Sequence, residues 1–117
     1  MSDIQKLTEK IKKFRDDRDW LQFHNHKDMA LSLVLEATEV LEHFQWKKPD
    51  EVEEHARKRK DEIAEELADV AMYLFELADN LKIDLAKAIV DKLAKNTKKY
   101  SIKKAKGNAK KYTEFAS

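Results

Sequence analysis

From Ile4 to Phe14 the apolar residues Ile4, Leu7, Ile11 and Phe14 recur every three or four positions in a charged segment. That spacing predicts a helix with one narrow apolar stripe, ending near Asp17. Asp19 to Asp28 loses the helical period; it mixes Trp20, Phe23, His24, Asn25, His26 and Lys27 and reads as an ordered aromatic connection. A second helix is predicted from about Asp28 to Trp46, with Leu33, Val34, Ala37, Val40, Leu41 and Phe44 on its apolar face and Pro49 closing it. The chain is then strongly charged to Lys60 and reads as one long connection. Beyond it, Ile63, Leu67, Val70, Leu74, Leu77 and Leu81 alternate spacings of four and three, the pattern of a packed helix seam. Asp84 is the predicted N-cap of a fourth helix running through Leu85, Ile89, Val90 and Leu93, because its carboxylate can accept the unpaired amides of a first turn.

Glycine and proline occur once each, at Gly107 and Pro49, which removes the turn chemistry of hairpins and sheets and leaves an all-α fold. A chain of 117 residues can bury a modest core without disulfide or metal staples, so one domain over 1–117 is expected. No repeat or low-complexity tract divides it. Charged residues make up 40% of the chain at a net charge of +1, which suits a helical surface of mixed sign and argues against a polyanion-coating protein. The local exception is the lysine-rich stretch from Lys92 to Lys111, which holds no acid. The absence of cysteine excludes disulfides and thiolate metal sites and fits a reducing compartment such as the cytoplasm. Met1 to Lys13 is too polar for a signal peptide, and no stretch approaches the roughly 20 apolar residues of a membrane span, so neither export nor membrane insertion is expected.

Acidic residues carry the chemistry. Glu36 and Glu39 stand three apart on the second helix, about 60° apart on one side and bordering the apolar face. Glu66 and Asp69 repeat the spacing on the third helix, with Tyr73 one turn further along the same stripe. Two antiparallel helices would bring the four carboxylates together, and their repulsion would then require protons or cations. Oxygen-only ligands select magnesium or manganese. The competing reading is a set of ordinary surface glutamates, since Glu42, Glu62 and Glu65 sit at similar spacings. A ferritin-like di-iron site needs Glu-x-x-His pairs, and the residues three before His24, His26, His43 and His55 are Leu21, Phe23, Val40 and Val52.

The pattern Glu36-x-x-Glu39, twenty-six residues, Glu66-x-x-Asp69 resembles the MazG-type and dCTP pyrophosphatase-like all-α hydrolases. The segments Arg18 to His24, Leu41 to Lys47, Glu66 to Val70 and Lys95 to Tyr100 also fit, so the resemblance spans about Arg18 to Tyr112. His26, Asp28 and Ser101 depart from it, standing where relatives often carry proline, asparagine and proline. The resemblance implies a four-helix MazG-like bundle whose Glu36, Glu39, Glu66 and Asp69 hold Mg2+, with Mn2+ as the alternative, and hydrolyse (deoxy)nucleoside triphosphates to monophosphate and pyrophosphate. It also implies nucleotide-pool house-cleaning, with dCTP-like or modified nucleotides as candidates.

Trp20 and Trp46 offer flat faces for base stacking, Trp46 lying seven residues after Glu39 on the same helix side. Tyr73 is placed to reach sugar or phosphate and His24 to contact base or phosphate. Asn96, Lys99 and Tyr100 match the family's substrate-side segment. Phe14, Phe44 and Phe75 read as core and receive no chemistry. Four short helices leave little room to enclose a nucleotide, so a homodimer or dimer of dimers is expected. The rival functions are a catalytically silent nucleotide-binding module and a helical protein that binds nucleic acid through its lysine-rich end.

Overall fold

The computed structural model describes residues 1–115, and every regular element among them is helical. They are α1 (Asp3–Asp17), α2 (His26–Glu42), α3 (Pro49–Lys58), α4 (Lys60–Asn80), α5 (Leu85–Lys99) and α6 (Ile102–Ala105), with 3-10 turns at Leu21–Phe23 and Tyr112–Glu114. Contacts gather them into two compact units, Met1–Ile83 and Asp84–Ser117. In the first unit α4 is the hub: it packs along α2 and also carries α1 and α3.

Local chemistry sets the helix ends. Ser2 and Gln5 form a capping box at α1, Ser2 Oγ accepting from the Gln5 amide at 3.1 Å and Gln5 Oε1 from the Ser2 amide at 2.9 Å. The chain leaves α1 through Asp19, whose φ is +56°. Asn25 Oδ1 accepts from the Asp28 amide at 2.9 Å and so starts α2 two residues before the position expected from periodicity. The helix also stops earlier, at Glu42, and Trp46 sits in the left-handed region at φ +66°. Asp84 caps α5 as expected, Oδ1 accepting from the Lys87 amide at 3.1 Å.

The segment predicted as one long charged connection is a helix, α3. Pro49 occupies its first turn, Asp50 and Glu51 lie at its N-terminus, and His55, Arg57 and Lys58 occupy its last turn. Charge density there reflects segregation of sign along the helix dipole rather than loop. The four expected helices therefore become five substantial ones.

The core of this single chain is thin. Among the described residues Met29, at 1% exposure, and Ala78, at 7%, are the buried apolar ones, while Thr8, Arg15 and Glu76 are buried polar ones. On α4 the expected seam divides: Ile63, Val70 and Leu77 are half-buried, but Leu67, Leu74 and Leu81 are exposed. The inward stripe instead carries Glu66, Asp69, Tyr73, Glu76 and Asn80. On α2, Leu33 and Val40 are half-buried, as is Phe44 just beyond its end, whereas Val34, Ala37 and Leu41 are exposed. The apolar face of α2 is wider than one neighbouring helix can cover, so periodicity located it without saying how much this chain buries.

Candidate active site

Glu36 and Glu39 project from α2, and Glu66 and Asp69 from α4, the two helices that pack most extensively. The Glu36 carboxyl is pushed above its ordinary range, first by burial, then by the charge and hydrogen bonding of Glu39, then by the charges of Asp69 and Glu66. Each of the other three acids therefore acts on Glu36. Among the described residues two buried oxygens, Glu36 Oε2 and Glu66 Oε2, have no hydrogen-bond partner. Burying such an acceptor unpaired is costly, and a cation removes the cost on both helices at once.

Glu66 Oε2 is not isolated. His43 Nε2 lies 2.5 Å away, close enough for a strong electrostatic contact but without the alignment of a hydrogen bond. His43 Nδ1 in turn pairs with His55 Nε2 of α3 at 2.7 Å. Among the described residues no three Asp, Glu, His or Cys side chains are gathered tightly enough to hold an ion as they stand. The four acids fit a hard cation in donor type, charge and unsatisfied oxygens.

A cavity of about 250 Å³ adjoins these acids. Its lining joins Glu36 and Asp69 to Trp20, His24 and Tyr73, three of the residues expected to meet substrate. Burial and the charges of Glu36 and Asp69 raise the Tyr73 phenol, which stays protonated and able to donate.

Phe14, Arg15 and Glu76 line the same cavity, and sequence reasoning did not place them there. Phe14, expected in the core, is 44% exposed and meets Trp20 edge-on with centroids 5.7 Å apart. Arg15 and Glu76 are only 4% and 3% exposed. Glu76 Oε2 lies 2.7 Å from His24 Nδ1 and 3.6 Å from Arg15 Nη1, and it accepts from Asn80 Nδ2 at 3.3 Å. Arg15 also donates to Asp16 Oδ1 at 2.8 Å and to Asn80 Oδ1 at 3.3 Å. Asp16, then Glu76, hold the Arg15 guanidinium in its charged form against the cost of burial.

Trp46 is not among the cavity residues. Because α2 ends before it and its backbone turns left-handed, it is 93% exposed and does not continue the helix side of Glu39. Asn96, Lys99 and Tyr100 belong to the second unit. There the Lys99 ammonium lies 4.9 Å over the Tyr112 ring, Tyr100 packs edge-on against Tyr112 and Phe115, and Asn96 lines a pocket of about 280 Å³ with Leu85, Ile89 and Leu93.

Residues 31–115 match the profile of the MazG-like family, an interval that contains both acid pairs. The chain belongs to the MazG-like family. Among its relatives, dCTP pyrophosphatase 1 of Rattus norvegicus is 38% identical over 117 residues, covering 98% of this chain and 67% of the rat protein. The Homo sapiens dCTP pyrophosphatase 1 is 36% identical with 98% and 67% covered. The crystal structure of a pyrophosphatase from Archaeoglobus fulgidus superimposes with a TM-score of 0.81 at 39% identity, covering 86% of this chain and 94% of the archaeal one. This MazG-like protein therefore shares its helical architecture with a solved pyrophosphatase. The likeness to the curated relatives extends through α1 and the aromatic connection, which supply Arg15, Trp20 and His24 to the cavity.

Proposed function

We propose that this MazG-like protein hydrolyses (deoxy)nucleoside triphosphates between the α and β phosphates, releasing a nucleoside monophosphate and pyrophosphate. The observation that carries this reading is the pair of orphaned carboxylate oxygens, Glu36 Oε2 and Glu66 Oε2, on two packed helices beside an aromatic cavity. The relatives' names and the archaeal structure point the same way.

Glu36, Glu39, Glu66 and Asp69 would hold the metal, Mg2+ by preference and Mn2+ as a substitute. When bound, the ion supplies neutralisation of phosphate charge and a water of lowered pKa. One of the four carboxylates takes the proton of the attacking water as general base. The water oxygen bonds to phosphorus, the bridging P–O bond breaks and pyrophosphate departs with the electron pair. Tyr73 donates to a sugar or phosphate oxygen, Trp20 supplies a stacking face, and Asn96, Lys99 and Tyr100 are the further candidates for substrate contact, with Trp46 as a second stacking face. Arg15 and Glu76 offer a donor and an acceptor to a base edge, the complement of an exocyclic amine beside a ring nitrogen. Cytosine presents such an edge, in keeping with relatives named for dCTP. House-cleaning of the nucleotide pool in the cytoplasm is the role that follows.

Pyrophosphate release from a panel of canonical and modified nucleoside triphosphates tests the reaction. Release with magnesium and none with EDTA is the expected result. Silence across the panel, with nucleotide still bound, would make this a binding module instead, and affinity for nucleic acid that falls steeply with salt would favour the lysine-rich end.

The exposed face of α2 supports a homodimer or dimer of dimers. Leu31, Val34, Leu35 and Leu41, 53–64% exposed, lie at helical spacing along it, the form of a patch awaiting a partner. Light scattering at micromolar concentration should give at least a dimer, and Leu35→Glu should shift it toward monomer. A monomeric native protein would overturn this part of the proposal.

A further inference from the structure

Two histidines stand behind the acidic site, and neither enters the reaction described above. His43 is the C-cap residue of α2, and His55 lies on α3. The rings sit with centroids 4.9 Å apart, and His55 also meets Phe44 edge-on at 6.2 Å. The His43 side chain is only 11% exposed, so its ring is confined while its two nitrogens face two different partners.

Those partners define its proton. With His43 neutral, one ring nitrogen carries hydrogen and the other a lone pair. Nε2 faces the Glu66 carboxylate at 2.5 Å, where a lone pair would be repelled, so the hydrogen belongs on Nε2. In that neutral form His43 Nδ1 accepts, and the contact at 2.7 Å has His55 Nε2–H donating. His55 so placed favours the tautomer of His43 that turns Nε2–H toward Glu66, an electrostatic contact rather than an aligned hydrogen bond. Ligands to metals are commonly oriented in this way by partners that do not touch the metal themselves.

We infer that His43, held by His55, is a positioning residue that fixes the Glu66 carboxylate for the cation. The inference rests on the reading of Glu66 as a cation ligand. It gives α3 a function: this helix delivers His55 to the back of the site.

Mn2+ affinity, followed by the electron paramagnetic resonance of free Mn2+ without substrate, tests it on the full chain. His43→Leu should weaken binding about 10- to 100-fold. His43→Gln, whose amide can still donate to Glu66, should recover much of that loss, which filling space alone would not. His55→Phe keeps a ring against Phe44 but removes the donor, and should weaken binding several-fold; it provides the test if His43→Leu does not fold. Wild-type affinity in folded His43→Leu, or in His55→Phe, overturns the proposal. Nitrogen coupling to bound Mn2+ that disappears in His43→Gln would also overturn it, by making His43 a ligand. Glu39→Gln separates the two layers: if it binds Mn2+ as well as wild type, the carboxylate site itself is misassigned, whatever His43 does.

Discussion

Glu39→Gln should remove magnesium-dependent turnover, by more than about 100-fold given that even partners outside the ligand shell cost 10- to 100-fold, while leaving the helical circular dichroism intact. Glu39 is exposed on α2, so the amide disturbs no packing. Its charge and hydrogen bonding nevertheless help to raise the Glu36 carboxyl. Removing that charge relieves repulsion among the four acids, and the variant should melt no lower than wild type without metal. Loss of turnover with unchanged or improved stability is the signature of a residue whose charge serves a cation rather than the fold. Turnover equal to wild type would take Glu39 out of the site.

Glu76→Ala should be strongly destabilising. Glu76 and Arg15 are 3% and 4% exposed, and truncating the acid leaves the buried guanidinium with only the exposed Asp16 carboxylate beside it. Loss of one partner of a buried charged group costs about 1–3 kcal/mol, which lowers the melting temperature of a domain this size by about 4 °C or more. His24 and Asn80 lose their shared acceptor in the same step. The double variant Arg15→Met, Glu76→Leu should recover most of the stability, since apolar replacement of a whole buried pair is often neutral or better. It should not recover the discrimination among bases in which the pair is proposed to act. Thermal denaturation of both variants decides the matter; a fall below about 1 kcal/mol in Glu76→Ala would mean that Asp16 and solvent suffice to hold Arg15 in the folded state.

Several elements were legible from local pattern because their physics is local. The stripe of α1, the cap at Asp84 and the absence of turn chemistry all follow from residues within a few positions of one another. The charged stretch after Pro49 was misread because charge density was weighed without its order: acids at the start and bases at the end are what a short helix requires. The inward stripe Glu66, Asp69, Tyr73, Glu76 and Asn80 is also written at helical spacing, but a leucine seam on the same helix gave the stronger signal. Arg15 left no trace of its role, since one arginine among many charges in α1 looks like solvated surface until Glu76 is brought beside it.

Helicity and membership of the MazG-like family were readable along the chain, because helix periodicity and the spacing of two acid pairs are properties of position in it. Packing settled which acids share one environment, that Arg15 and Glu76 form a buried pair in the cavity, that His43 and His55 adjoin Glu66, and that Trp46 lies beyond its helix. Those contacts join residues far apart in the chain, as does the one between Arg15 and Asn80, 65 positions apart, in the same cluster. Burial and electrostatic coupling depend on distance in space, which the packing of α1, α2 and α3 on α4 sets.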